Sequence, residues 1–180
     1  MPSSHAPRRG ERLVPAQVQV RPATDVDWPG VWRFLRQIVA AGETYCWPQE
    51  ATEEMCRQWW FGKPGGKVLV AVDLAEHQVV GTVEVHPNQP GGGSHVANAG
   101  FMVDPAVAGR GIGRTLALHA LAEARLAGYQ AMQFNAVVAT NVHAVSLWHS
   151  LGFRTLAEIP RAFHHPKLGM VALQVMFREL

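Results

Sequence analysis

The chain is poor in charge and shows almost no bias of sign. Only 17% of its residues are charged, and 16 basic side chains against 14 acidic ones leave a net charge of +2. That balance argues against a nucleic acid or an anionic membrane as partner. Cysteine is scarce as well. Cys46 and Cys56, ten residues apart, supply neither the four ligands of a zinc knuckle nor a secreted disulfide framework, so both read as reduced and structural. No apolar run approaches the length of a membrane-spanning helix. The first 15 residues are rich in Pro, Ser, Arg and Gly and lack an apolar core, so they do not read as a secretory signal. Residues 1–16 are expected to be a flexible lead-in and residues 17–180 a single domain, in a protein expected in the cytoplasm. Hydrophobic residues make up 48% of the 180, enough for a substantial core.

Apolar periodicity divides the chain into alternating elements. Strand patterns run over 17–21, 67–73, 78–86, 95–103, 131–138, 153–159 and 170–178. Helical patterns follow Thr24, Thr52, the glycine-rich stretch at 107–114 and Asn141, and they stop at Gly42, Gly62, Gly128 and Gly152. Residues 160–169 read as a long polar loop carrying His164 and His165. Consecutive strands with tight turns favour antiparallel pairing, while the strand–helix–strand stretch over 95–138 favours one parallel pair. The expected class is α/β (α+β), with a mixed sheet and no internal repeat.

The most specific signal is Val107-Ala-Gly-Arg-Gly-Ile-Gly-Arg114. Gly109, Gly111 and Gly113 stand between a strand and a helix. A glycine turn that opens a helix leaves backbone N–H groups unpaired at the positive end of the helix dipole, which suits a phosphate or pyrophosphate. Arg110 and Arg114 add positive charge. No Lys-Ser/Thr follows the glycines, so this is not a P-loop. Further on comes Asn141-x-x-Ala144-x-x-x-Trp148-x-x-x-Gly152-Phe153.

In this order and spacing the two motifs resemble the GNAT superfamily of acyl-CoA N-acyltransferases. The resemblance implies a mixed sheet of about seven strands flanked by about four helices and splayed between strands 4 and 5. It also implies acetyl-CoA as co-substrate. The expected cofactor-binding residues are Phe101, Met102 and Val103 on the splayed strand, with a backbone N–H near Met102 facing the thioester oxygen. They continue through Ala108, Gly109, Arg110, Gly111, Ile112, Gly113 and Arg114 in the turn, and Asn141, Ala144 and Trp148 beyond it. Two residues depart from the family pattern. Ala108 stands where Arg or Gln is usual, with Arg110 available to replace that charge. Trp148 stands where tyrosine is common, and an indole N–H donates a hydrogen bond but is no ordinary acid.

The segments Gly42-Glu-Thr-Tyr45, Asn98 to Val103, Gln133-Phe-Asn135 and Ala162 to Pro166 look like a subgroup that includes enzymes acetylating azetidine-2-carboxylate, a proline analogue. That likeness implies a small carboxylated amine as acceptor. Asn98 and Asn135 would line its site, while Glu43, Thr44, Tyr45 and His164 would contribute to its walls. As amides in apolar strands, Asn98 and Asn135 need partners if buried. Glu84, His86, His95 and Glu43 are candidates for the base that takes the amine proton. Glu84 and His86 share one strand face, and Glu84, Asn98 and Asn135 are the expected catalytic set. The spacing of His149, His164 and His165 fits no zinc pattern, and no metal is expected. Asn141 has a second role open to it, as the cap of its helix. Other readings are a peptide or protein N-acetyltransferase and a non-catalytic acyl-CoA-binding regulator. Exposed aromatics and family habit point to a homodimer.

Overall fold

A computed structural model describes residues 17–180; the expected flexible segment 1–16 lies outside them. In chain order the elements are β1 (Val18–Pro22), α1 (Trp28–Ala41), α2 (Glu53–Phe61), β2 (Lys67–Asp73) and β3 (Val79–Pro87). There follow β4 (Val96–Val103), α3 (Ile112–Leu126), β5 (Ala131–Val138), α4 (Val142–Ser150), β6 (Arg154–His165) and β7 (Gly169–Glu179). The strands form one seven-stranded sheet in the order β1-β2-β3-β4-β5-β7-β6. All neighbours pair antiparallel except β4 and β5, which are parallel. The expected mixed α/β architecture is therefore present.

Each helix earns its place through a stripe of buried residues. α1 buries Val31, Phe34, Leu35 and Val39, and Gly42 ends it at φ 65° with its N–H on the Val39 carbonyl. In α2 the Thr52 hydroxyl accepts from the Met55 N–H, and Cys56 and Trp60, one turn apart, face inward. α3 buries Leu116, Ala117, Ala120, Leu121 and Ala124. Strand alternation then sorts the sheet into two faces. Val70 and Met102 pack with α1 and α2, whereas Leu69, Ala71, Val83, Ala97, Met132 and Phe134 pack with α3 and Trp148.

The central strand β3 is covered on both faces, and every residue from Val79 to Val85 is buried. Glu84 is thus not on a solvated strand face but 3% exposed inside the sheet layer. α3 begins at Ile112, inside the glycine-rich stretch 107–114 rather than after it, because Gly111 itself takes the cap position.

The 160–169 segment is not a loop. β6 continues to His165 and pairs with β7 down to His165 opposite Gly169. A register shift between Ile159 and Phe163, with Arg161 at φ 56°, absorbs Pro160. β6 is also the outermost strand, where a missing N–H can face away from the ladder.

Candidate active site where two strands part

β4 and β5 pair only through Val96 with Ala131 and Ala97 with Met132, and then separate. On its other side β4 stays paired with β3 from Pro87–Ala97 to Gly81–Val103. β5 carries a register irregularity between Phe134 and Val137 against β7, which turns it away. The indole of Trp148 stands 4.8 Å from Phe101 on β4 and 4.8 Å from Phe134 on β5, so aromatic rings occupy the gap the ladder has vacated. A cleft of about 590 Å³ runs through this parting.

Backbone direction along β4 decides which groups the cleft receives. The Asp104 N–H donates to the Val80 carbonyl and the Asn88 N–H to the Val96 carbonyl, so even-numbered residues of β4 turn their backbone groups toward β3. Odd-numbered residues turn theirs toward the opening, as His95 does by accepting from the Gln130 N–H. Of the backbone N–H groups near Met102, its own does not face the opening. Its backbone belongs to the β3 ladder and its side chain is 1% exposed. The open-edge donors are Phe101 and Val103.

Two side chains replace the lost partner strand along this edge. Asn98 Oδ1 accepts from the Ala99 N–H at 2.8 Å, and the Tyr45 hydroxyl donates to the Phe101 carbonyl at 2.9 Å. Burial, reinforced by the Glu84 charge, pushes the Tyr45 hydroxyl well above the ordinary tyrosine range, so it remains a neutral donor.

Beyond β4 the turn rests on Asp104, whose Oδ1 accepts from the Ala106 N–H at 2.9 Å and whose Oδ2 pairs with Arg33 at 2.7 Å. Gly109 and Gly111 then take φ values of 81° and 82°, a region that penalises any side chain. A Cβ at Gly111 would meet nothing within 4 Å, so the backbone there faces open space. Ile112, Gly113 and Arg114 form the first helical turn, whose N–H groups have no intrahelical acceptor. The two arginines are less committed to this turn than their sequence positions suggest. Arg110 leans to Asp73 at 3.7 Å, and Arg114 donates to the Ser150 hydroxyl at 2.9 Å. Ala108, Asn141, Ala144 and Trp148 line the cleft beside the turn. The Asn141 side chain accepts from the Ala144 N–H at 3.3 Å, so its capping role is realised at the cleft wall.

The opposite half of the cleft lies on the α1–α2 face of the sheet. Glu84, Asn98 and Asn135 all line it, with Thr44 and Tyr45 from the loop after α1. Asn135 is exposed rather than buried. Its Nδ2 donates to Asn88 Oδ1 at 2.7 Å, and its Oδ1 accepts from Gln133 Nε2 at 2.8 Å. Glu84 lies over Gly100, where a Cβ would come within 2.8 Å of Glu84 Oε1 and 3.1 Å of the Trp60 ring. A side chain on β4 at this position would crowd both the carboxylate and the Trp60 ring. Both Glu84 oxygens are engaged, Oε1 by Lys63 Nζ at 2.7 Å and Oε2 by His86 Nδ1 at 2.7 Å.

Lys63 escaped the sequence reading because it sits in a Gly-Lys-Pro-Gly turn with no pattern to mark it. Trp47 and Cys46 also line this half. Glu43 and His164 do not reach it. Glu43 pairs with Lys167 at 2.6 Å, an ion pair that holds its carboxyl below the usual range. His164 is exposed on β6, on the side opposite buried Phe163 and His165. His95 is likewise outside the cleft lining, its Nδ1 3.1 Å from the Gly92 carbonyl oxygen. No group of three or more His, Cys, Asp or Glu placed to hold a metal occurs among the described residues.

A model of the Acetyltransferase (GNAT) family matches residues 32–153, more than half of the chain. The chain belongs to the GNAT family. It is 50% identical to a GCN5-related N-acetyltransferase from Kribbella flavida, with 91% of this chain and 98% of that one covered at a TM-score of 0.86. N-acetyltransferase aca1 of Schizosaccharomyces pombe is 41% identical over 75 residues, which are 42% of this chain. The match spans about a third (36%) of aca1's own length. The same fold, at 23% identity and a TM-score of 0.79 over 92% of this chain and 95% of the other, occurs in yncA of Salmonella typhimurium, whose structure holds acetyl-CoA as its cofactor. In this GNAT chain the described helices include none long and apolar enough to cross a membrane.

Proposed function

We propose that this chain is an acetyl-CoA-dependent N-acetyltransferase that acetylates the amine of a small molecule, an amino acid or an analogue of one, by direct attack in a ternary complex. The parting of β4 from β5 beside the glycine turn carries this reading. The turn fits a pyrophosphate: its N–H groups lack intrahelical partners, and the space a Cβ would take at Gly111 is open.

Bound acetyl-CoA supplies the acetyl thioester. On the protein side, the open-edge N–H groups of Phe101 and Val103 hold the pantetheine arm and leave a donor beside the developing oxyanion. A placed donor of this kind is worth about 3 kcal/mol of barrier. Trp148 packs against the thiol end and offers one N–H, without a proton it can release. Glu84, on the acceptor side of β4, takes the amine proton directly or through a water. Asn135, oriented by Asn88 and Gln133, positions the amine. Exposed Leu156 and Ile159 on the edge strand β6 support a homodimer, which sedimentation equilibrium checks.

The test is thiol release from acetyl-CoA across amino acids, proline analogues, polyamines, aminoglycosides and short peptides. The expected result is turnover concentrated among carboxylated small amines. Turnover of peptides alone would reassign the acceptor class. Tight acetyl-CoA binding with no acceptor-stimulated release would leave a cofactor-binding regulator in place of an enzyme.

A further inference from the structure

Among the described residues that line the cleft there is one cation, Lys63, and one carboxylate, Glu84. They stand together, with Lys63 Nζ 2.7 Å from Glu84 Oε1, on the acceptor side of β4. A lysine ammonium carries three N–H groups, and Glu84 Oε1 takes one of them. The Lys63 side chain keeps 30% of its surface exposed while it lines the cleft, whereas Glu84 keeps 4%. A carboxylate has about four lone-pair sites. With Lys63 on one oxygen and His86 on the other, Glu84 therefore retains acceptor sites for an incoming ammonium. Beside the pair stands an aromatic wall: Tyr45 and Trp47, with ring centroids 5.4 Å apart, both line the cleft.

From this arrangement we infer that Lys63 is a specificity-determining residue that binds the acceptor's carboxylate. The acceptor is then a zwitterionic amino acid with an apolar body. Its carboxylate bonds to Lys63, its ammonium is drawn to Glu84, and its side chain lies along Tyr45 and Trp47. A zwitterion satisfies both charges of the cleft at once. A polyamine adds a second cation beside Lys63, where like charges repel, and an amide or peptide-linked carboxyl group brings no anion to it. The inference rests on the acetyltransferase reading above and narrows its substrate class.

The experiment measures kcat/KM for L-leucine, L-methionine and azetidine-2-carboxylate, each beside its primary amide, in wild type, Lys63→Met and Lys63→Arg. Losing Lys63 disturbs Glu84 for acid and amide alike, so the acid-to-amide ratio isolates the carboxylate contact. Wild type is expected to prefer the acids. Lys63→Met should cut the ratio by about 10-fold or more, the scale of one charged hydrogen bond, and Lys63→Arg should restore most of it. Circular dichroism of both variants establishes that they fold. A wild-type preference for the amides, or a ratio unchanged in folded Lys63→Met, overturns the assignment of Lys63 while leaving the acetyltransferase reading intact. Absence of thiol release with every amine, with acetyl-CoA still bound, overturns both.

Discussion

Gly111 shows how one residue couples backbone geometry to ligand chemistry. Its φ of 82° penalises any side chain, and the space over it is open, as the proposed pyrophosphate site requires. Gly111→Asp meets no steric obstacle within 4 Å, so its effect is one of strain and charge. An aspartate strains the turn and sets a negative charge against the pyrophosphate. Acetyl-CoA affinity is expected to fall about 100-fold by calorimetry, because a carboxylate about 4 Å from the pyrophosphate repels it by roughly 1–4 kcal/mol. Unchanged affinity would remove the turn from the binding site. Asn135 and Asn98 illustrate different outcomes for two residues that look alike in sequence. Asn135 is exposed in the opening and held by two neighbouring amides, so Asn135→Ala should lower kcat and leave acetyl-CoA affinity untouched. Asn98 spends its carbonyl on the adjacent Ala99 N–H, a structural duty that its place in an apolar strand does not reveal.

At the scale of elements, the functional event is the loss of pairing between two strands, and the edge it leaves has to be managed. An unpaired backbone group away from water costs free energy. Tyr45 covers one such group by reaching from the loop after α1 to the Phe101 carbonyl. Tyr45→Phe keeps the ring and removes the donor. It should destabilise the fold by about 1–3 kcal/mol in urea titration and lower turnover, since the carbonyl at the proposed thioester site loses its fixed position. A variant as stable and active as wild type would show that the bond is dispensable. The β6–β7 hairpin teaches a different lesson. Its tip, through Lys167, meets Glu43 in the α1–α2 loop, so Glu43 is held by the hairpin while Thr44 and Tyr45 of the same loop line the cleft. Pro160 and a polar composition pointed to a loop there. Pairing with β7 outweighs local propensity, and the register shift takes up the misfit.

For the whole molecule, stability responds to acid and to ligand through identifiable groups. Asp27 is buried, clasped by Arg21 at 2.6 and 2.8 Å, and accepts from the Thr24 N–H and hydroxyl. The Arg21 hydrogen bonds, opposed by burial and aided by Thr24, hold its carboxyl down to about 2 from an ordinary value of 3.8. A carboxylate with a lowered folded-state value stabilises the fold fully above its unfolded-state value and loses that contribution as pH falls through the folded one. About 2 kcal/mol should therefore vanish between roughly pH 4 and pH 2. Asp27→Asn should flatten that part of the stability curve in urea titrations, and an unaltered acid limb would exclude Asp27 as its source. Acetyl-CoA at 100 times its dissociation constant should stabilise the native state by about 2.7 kcal/mol, read as a raised thermal midpoint. The gain should be lost in Gly111→Asp.

Elements, sheet class and the glycine turn were legible because they depend on local rules. Apolar periodicity marks helices and strands, glycine marks positive φ, and Asn141 and Thr52 mark caps, each within a few residues of chain. A mixed sheet, a glycine turn opening α3, and a short set of polar residues on or beside the strands that part can therefore be read from the chain alone. Which groups meet depends on how the elements pack. The antiparallel register of β3 with β4 turns Met102 inward and Phe101 and Val103 to the cleft. The approach of α2's C-terminal end to β3 brings Lys63 to Glu84 across 21 positions, and the glycine at 100 makes room for that carboxylate. Contacts of this kind depend on strand parity and on packing between segments distant in the chain, which no local pattern records.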